Sequence, residues 1–153
     1  MSANIRIAGV NDTGKLYEIN KICLPIYYSY LDYVLMLISS SYLILIAEDD
    51  NNTIGYLVGE YNNNNNFHIL SFGVHPSFRN KGIGRKLIDF LVNKIKNQKY
   101  TEITLNVHVD NIGGIAFYEK LNFKAVKLLK NYYQGALSDA KSYDGYRMKK
   151  NIN

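Results

Sequence analysis

Residues 74–85 read Val-His-Pro-Ser-Phe-Arg-Asn-Lys-Gly-Ile-Gly-Arg and join a predicted strand to the most strongly patterned helix of the chain. The first N–H groups of such a helix lack partners and its dipole is positive at this end, so the loop predicts an anion site. Gly82 and Gly84 let the backbone approach a phosphate, while Arg79, Lys81 and Arg85 add positive charge. The stretch has neither the Gly-Lys-Ser/Thr of a nucleotide loop nor the third glycine of a dinucleotide fingerprint, so we predict a pyrophosphate as its ligand.

The segments on both sides of this loop have a clear hydrophobic period. Apolar residues after Gly82 recur at helical spacing over four turns, which predicts a helix; they are Ile83, Leu87, Ile88, Leu91, Val92 and Ile95. Residues 67–75 read as the strand before the loop. Residues 103–109 alternate apolar and polar side chains, which predicts a further strand with one apolar face. Asn111 then caps a second late helix.

The rest of the chain extends this pattern in both directions. A first strand around Ile5 and Ile7 precedes a helix that Pro25 ends, and a short helix covers residues 34–38. Further strands are predicted over residues 42–47, 53–61, 123–129 and 146–148, and the five asparagines of residues 62–66 are predicted to form an exposed loop. The order is β-α-α-β-β-β-α-β-α-β-β, which favours a mixed α/β sheet.

Composition and length limit the class of protein. The 153 residues predict one domain over 1–153, with 47% hydrophobic and 20% charged residues as in a soluble globule. A net charge of +5 favours polyphosphorylated ligands or acidic partners and is too small to indicate nucleic acid. The apolar stretch 34–47 is divided by serines and is shorter than a membrane span. With no secretion signal and no metal-ligand spacing, we expect a cytoplasmic protein without a metal or a membrane span.

Two motifs resemble those of the GCN5-related N-acetyltransferase (GNAT) family. Arg79-Asn80-Lys81-Gly82-Ile83-Gly84 resembles its coenzyme A pyrophosphate motif, and Asn-Ile-Gly-Gly-Ile-Ala-Phe-Tyr over residues 111–118 resembles its second signature. Both occur in the order that the family requires, within residues 67–123. The resemblance implies a mixed, mostly antiparallel seven-stranded sheet flanked by about four helices, with the fourth and fifth strands splayed around acetyl-CoA.

The same resemblance implies which residues contact acetyl-CoA and which assist the reaction. Tyr118 is placed beside the sulfur as general acid for the departing thiolate. The coenzyme-binding residues implied are Phe72, Val74, Arg79, Asn80, Lys81, Gly82, Ile83, Gly84, Arg85, Asn111 and Tyr118.

Within the family, the chain is most similar to the eukaryotic N-terminal protein acetyltransferases, in particular the NatE and NatF catalytic subunits. Leu24-Pro25-Ile26-Tyr27-Tyr28 resembles their peptide loop, and Asn131-Tyr132-Tyr133 resembles their paired tyrosines. The resemblance implies transfer of acetyl to the α-amino group of protein N-termini, with the peptide clamped by Leu24, Pro25, Tyr28, Tyr132 and Tyr133. It leaves open an auxiliary subunit or the ribosome as a partner.

This chain differs from these relatives at the strand residues that guide proton removal from the substrate amine. They have a tyrosine on the fourth strand and a histidine on the fifth, whereas this chain has His68 and Asn106. His68 has an ordinary pKa of roughly 6.5, suited to a base near neutrality, while Asn106 orients a water or the amine. His108 shares a face with Asn106 because side chains alternate along a strand. The base therefore remains open among His68, His108 and a water held by Asn106.

Two alternative functions follow from the same fold. One is acetylation of a small amine or a lysine side chain, which predicts an open groove without a lid formed by Tyr132 and Tyr133. The other is an acetyl-CoA-binding protein with weak turnover, which the altered strand residue at Asn106 suggests.

Overall fold

A computed structural model describes residues 3–137 and 139–152, which form one seven-stranded sheet with helices on both faces. The strand order is β1-β2-β3-β4-β5-β7-β6. In chain order the elements are β1 (Asn4–Ile7), α1 (Thr13–Cys23), α2 (Tyr30–Ile38), β2 (Tyr42–Asp49), β3 (Asn52–Tyr61), β4 (Asn66–Val74), α3 (Ile83–Ile95), β5 (Glu102–His108), α4 (Ile112–Lys120), β6 (Lys124–Leu129) and β7 (Gly145–Asn151), with short 3-10 turns at Val10–Asp12 and Pro76–Phe78.

The sheet is antiparallel except between β4 and β5, which confirms the predicted mixed, mostly antiparallel architecture. The parallel ladder joins residues 66–69 of β4 to residues 102–105 of β5 and continues no further among the residues described. The two strands diverge from there, as the resemblance implied. The divergence leaves a gap at the carboxyl end of β4, next to the loop that leads into α3.

Each face of the sheet has its own apolar core. The predicted stripe of α3 packs on one face, where Leu87 and Leu91 are fully buried against residues such as Leu45 and Leu105. Helices α1 and α2 pack on the other face around the buried ring of Tyr56. The alternation in β5 therefore turns its polar side chains toward the α1 and α2 face.

Several predicted boundaries are corrected by the structure. Asn66 begins β4 instead of closing the asparagine loop, because its side chain donates to Glu102 Oε2 at 2.9 Å and to Thr104 Oγ1 at 3.1 Å on β5. His75 lies outside β4 and accepts from the Ser77 N–H at 3.1 Å. Strand β7 is longer than predicted because it pairs with both β5 and β6.

Candidate active site

The loop before α3 exposes main-chain N–H groups. Gly82 has φ +82°, a left-handed conformation that glycine adopts without strain, and a Cβ there would meet no atom within 4 Å. The first helical hydrogen bond runs from the Lys86 N–H to the Gly82 carbonyl at 3.1 Å. The N–H groups of Ile83, Gly84 and Arg85 precede it and are free to bind an anion. The loop backbone therefore suits a diphosphate.

The charges around this loop are positive. Arg79, Lys81 and Arg85 are exposed, and the first turn of α3 contains no acidic residue. The Arg79 Nε donates to the Val74 carbonyl at 3.0 Å, which fixes the loop to the end of β4. The Lys81 Nζ lies 5.6 Å from the ring of Phe78. The loop therefore combines exposed cations with free amides just after the end of β4, so these residues fit the diphosphate of acetyl-CoA.

An aromatic cluster lines the gap on the α4 side. The ring of Phe72 lies 6.0 Å from Phe117 and 6.2 Å from Tyr118, and Tyr118 lies 5.7 Å from Phe123. A Cβ at Gly84 would come within 3.0 Å of the Phe117 ring and 3.2 Å of the Phe72 ring, so a larger residue would displace the cluster. Burial raises the pKa of Tyr118, which keeps its hydroxyl protonated at neutral pH.

The predicted coenzyme residue Asn111 has a structural function in this arrangement. Its Oδ1 accepts from the Gly114 N–H at 2.9 Å and so caps the first turn of α4. Because α4 carries Tyr118 two turns later, the cap sets the position of that tyrosine at the gap.

His68 lies on β4 facing the α1 and α2 side. Its Nδ1 is 2.7 Å from Thr104 Oγ1 on β5. Burial, together with the positive charge of Arg147, lowers the pKa of His68 to about 4. The imidazole is therefore neutral at physiological pH and able to accept a proton, although its lowered pKa makes it a weak base.

Asn106 is held at both ends of its side-chain amide. Its Nδ2 donates to the Tyr132 hydroxyl at 3.0 Å, and its Oδ1 accepts from the Arg147 Nε at 3.2 Å. These contacts connect β5 and β7 to the loop between β6 and β7. Asn106 therefore holds Tyr132 in place, and its expected function of orienting a water or the amine stays a prediction.

His108 uses both ring nitrogens in internal hydrogen bonds. Its Nδ1 accepts from the Asp110 N–H at 3.0 Å, so its Nε2 carries the proton that is donated to the Ser142 carbonyl at 2.7 Å. The Tyr133 ring packs 5.3 Å away. This arrangement gives His108 a structural function at the base of the β6–β7 loop and does not favour it as the base.

The predicted peptide-clamp residues come from two separate loops. Leu24 and Pro25 follow the end of α1, and Tyr28 lies farther along the same loop with its ring 5.8 Å from Tyr33. Burial raises the pKa of Tyr28, and the negative charge of Glu60 adds to this effect. The other predicted clamp residues, Tyr132 and Tyr133, lie in the loop between β6 and β7.

The paired tyrosines of the β6–β7 loop differ in exposure. Their rings are 4.9 Å apart and nearly perpendicular. Tyr132 is 51% exposed, while burial and the neighbouring Tyr132 raise the pKa of Tyr133 to about 12. Tyr133 thus anchors the loop, and Tyr132 presents a surface that a ligand can contact.

A buried hydrogen-bond network, which the sequence interpretation missed, holds the loop between α1 and α2 that contains Tyr28. Asn20 on α1 is 0% exposed and donates from Nδ2 to the Tyr56 hydroxyl at 2.9 Å. Its Oδ1 accepts from the Tyr33 hydroxyl at 2.7 Å and from the Tyr28 N–H at 3.2 Å. Tyr56 in turn is 2.7 Å from Ser71 on β4. The available signal was an asparagine at a core position of an amphipathic helix.

Replacing Asn20 with Ala is expected to lower the free energy of unfolding by about 2 kcal/mol, because it leaves the buried Tyr33 hydroxyl without its acceptor. It also releases the Tyr28 N–H, so we expect a higher KM for the substrate that the loop contacts and an unchanged KM for acetyl-CoA. Urea unfolding and steady-state kinetics test both effects, with exposed Asn93→Ala on α3 as the control. Equal destabilisation by the two variants would contradict the proposed network.

Two further properties concern the described part of the chain. No group of three His, Cys, Asp or Glu side chains there is arranged to hold a metal ion. None of its helices combines the length and the apolar character needed to cross a membrane.

Comparison with known proteins identifies the family. The sequence profile of the acetyltransferase (GNAT) family matches residues 14–123. An N-alpha-acetyltransferase from Saccharolobus solfataricus is 35% identical over 141 residues, with 84% of each chain covered. The solved structure of Ard1 from Thermoplasma volcanium has a TM-score of 0.85 at 26% identity, covering 100% of this chain and 99% of that chain. The structure of Arabidopsis thaliana NAA60 with acetyl-CoA shares the fold, with a TM-score of 0.84 at 20% identity and 99% coverage of both chains.

The chain therefore belongs to the GNAT acetyltransferase family, as its two motifs predicted. It is an acetyl-CoA-dependent acyltransferase, and the loop before α3 lies where the family motif was recognised.

Proposed function

We propose that this protein is an N-α-acetyltransferase that transfers acetyl from acetyl-CoA to the α-amino group of protein or peptide N-termini. The observation that carries the proposal is the placement of the β6–β7 loop on the α1 and α2 side of the sheet, where Asn106 donates to the Tyr132 hydroxyl and His108 donates to the Ser142 carbonyl. The 35% identity to an archaeal N-alpha-acetyltransferase, over most of both chains, supports it.

Different groups of the chain contribute to coenzyme binding, to stabilisation of the developing charge and to proton transfer. Acetyl-CoA supplies the acetyl thioester. The N–H groups at the start of α3, with Lys81 and Arg85, hold its diphosphate, and N–H groups of β4 near Phe72 and Val74 stabilise negative charge that develops on the carbonyl oxygen. Tyr118 donates a proton to the leaving thiolate because its raised pKa keeps it protonated. Holding both reactants in one gap contributes much of the acceleration.

The weak base is consistent with an α-amine as the nucleophile. An α-amino group has a pKa of about 7.7–8.0, so roughly a tenth is neutral at pH 7, whereas a lysine amine with a pKa of about 10.4 is neutral to a few parts in ten thousand. His68, with its pKa lowered to about 4, removes a proton directly or through a water, and the Arg147 cation nearby disfavours an ammonium ion. An N-terminus therefore needs less help from the enzyme than a lysine does.

The alternative of acetylating a small amine or a lysine predicts an open groove without a lid formed by Tyr132 and Tyr133. The lid is supported by the hydrogen bond from Asn106 to Tyr132 and by the packing of Tyr133 on His108. Weak turnover by a coenzyme-binding protein is the remaining alternative, and a direct assay of acetyl transfer distinguishes it.

A pair of peptides with the same sequence tests the proposed function. One has a free N-terminus, and the other has a blocked N-terminus and a free internal lysine. We expect acetyl-CoA-dependent thiol release with the first peptide and at least about a hundredfold less with the second, because the lysine is far less often neutral. Equal rates would contradict the assignment to N-termini, and acetyl-CoA binding without thiol release on a broad peptide panel would indicate a protein without turnover.

Other features of the proposal come from the sequence and stay predictions. They are one acetyltransferase domain over 1–153, a cytoplasmic location, no nucleic-acid partner, and an auxiliary subunit or the ribosome as a partner that recruits the enzyme to nascent chains.

A further inference from the structure

Four cations lie on one face of the sheet beside the candidate site. Residues directly opposite each other on neighbouring strands point to the same face of a sheet. The residues of β7 and β6 that pair across from Asn106 and Thr104 therefore lie on the same face as those two residues. Asn106 pairs with Arg147, which pairs with Lys127, and Thr104 pairs with Lys149, which pairs with Lys124. We call Lys124, Lys127, Arg147 and Lys149 the cationic sheet face.

This arrangement does not stabilise the fold. Like charges directly opposite each other on neighbouring strands are destabilising, and the cationic sheet face contains two such pairs. No described acidic side chain lies within 4.0 Å of any of its four charged groups. The nearby Glu102 accepts instead from Asn66 at 2.9 Å. The cost in stability indicates a partner of opposite charge.

The cationic sheet face is open and continuous with the peptide clamp. Helix α1 packs mainly on β3 and β4, and α2 packs mainly on β2, so neither of these described helices packs extensively on β5, β7 and β6. The β6–β7 loop approaches this face at Asn106, and Lys124 and Lys127 beyond it are exposed. Arg147 reaches the clamp through Asn106, which donates to the Tyr132 hydroxyl, and its charge lowers the pKa of His68. The face therefore begins at the site and extends outward from it.

The dimensions match a short stretch of extended peptide. Neighbouring strands lie about 4.8 Å apart, so the distance from β5 to β6 is about 10 Å. An extended chain advances about 3.3 Å per residue and covers that distance in about three residues. Side chains shortly after the acetylated residue can therefore reach Arg147, Lys127 and Lys149.

We propose that the cationic sheet face binds acidic side chains at positions three to five of the substrate, so that the preferred substrates are N-termini followed closely by Asp or Glu. The inference rests on the proposed function and specifies its substrate class. An acidic peptide is favoured over a nucleic acid because the face is continuous with the peptide clamp through Asn106 and Tyr132.

The test compares two peptides that are identical except for Glu or Gln at positions three to five. At low salt we expect kcat/KM to be about tenfold higher for the Glu peptide, since each exposed charge pair contributes a two- to fivefold preference. Lys127→Gln and Lys149→Gln should each lower the ratio of kcat/KM for the Glu peptide to kcat/KM for the Gln peptide by about two- to fivefold. The ratio should approach one at 1 M salt, where the Debye length is about 3 Å. Exposed Lys96→Gln on α3 is the matched control and should leave the ratio unchanged.

Three outcomes would overturn this inference. Equal kcat/KM for the two peptides, with both acetylated, would refute the cationic sheet face as a substrate site and leave the proposed function standing. A preference that persists in both lysine variants would place its cause elsewhere in the protein. A single-stranded RNA oligonucleotide that binds this face while acidic peptides fail to compete would identify a nucleic-acid site instead. Failure to acetylate either free N-terminus would refute the proposed function itself.

Discussion

Replacing Tyr118 with Phe is expected to lower kcat at least about a hundredfold, because general acid catalysis typically contributes 10²- to 10⁴-fold. The Phe ring retains the packing against Phe72, Phe117 and Phe123, so the fold and acetyl-CoA affinity should be preserved. Burial raises the pKa of Tyr118, and in the unmodified enzyme this hydroxyl should therefore remain protonated throughout pH 6–9. Thiol release in single-turnover experiments measures the chemical step directly.

The matched control for this variant is Tyr100→Phe. Tyr100 is also partly buried and packs against Tyr61, at 5.2 Å, before β5 begins. Loss of the Tyr100 hydroxyl should leave kcat within about twofold of the value for the unmodified enzyme. A Tyr118→Phe enzyme that turns over as fast as the Tyr100→Phe enzyme would remove Tyr118 from the proposed chemistry. It would shift the proton donor to water.

Replacing both Lys81 and Arg85 with Gln is expected to raise the Kd for acetyl-CoA about 30-fold. Each exposed charge contributes roughly 1 kcal/mol to holding the diphosphate, and 1.4 kcal/mol corresponds to tenfold in affinity. Both side chains are exposed, so the free energy of unfolding should change little. Isothermal titration calorimetry measures the affinity.

The control charges lie at the other end of the same helix. Lys94→Gln and Lys96→Gln remove the same net charge near the end of α3, and we expect their effect on the Kd to be less than twofold. Acetyl-pantetheine, which lacks the diphosphate, should react equally well with both double variants. An equal loss of affinity in the two double variants would mean that net charge, and not the loop before α3, attracts the coenzyme.

Much of the fold was predictable because its strongest signals are local. The period of α3 and the alternation in β5 each lie within one element, and burial of Leu87, Leu91 and Leu105 follows from them. The GNAT resemblance supplied the mixed, mostly antiparallel character of the sheet and its divergence between β4 and β5, which single-element patterns do not contain. Asn66 was misplaced because its poor strand propensity is outweighed by hydrogen bonds to Glu102 and Thr104, 36 and 38 residues away.

The candidate site was predictable in part for the same reason. The loop before α3 is one continuous stretch, so its anion-binding character could be inferred from its residues. The contacts of Asn106 with Tyr132 and Arg147 join residues 26 and 41 positions apart and depend on how β5 and β7 are paired. No spacing in the sequence indicates them. The lowered pKa of His68 likewise depends on burial and on Arg147, which the sequence alone does not bring together.

The early end of the ladder between β4 and β5 has a consequence for the cohesion of the whole molecule. Past Ile69 and Leu105, the main-chain groups along the two facing edges are not paired with each other and are left to water or to an inserted molecule. The amide-bearing arm of the cosubstrate is able to serve there as an extra strand that ties one half-sheet to the other. We therefore expect bound acetyl-CoA to stabilise the junction between the two halves of the sheet, which is weakest when the coenzyme is scarce.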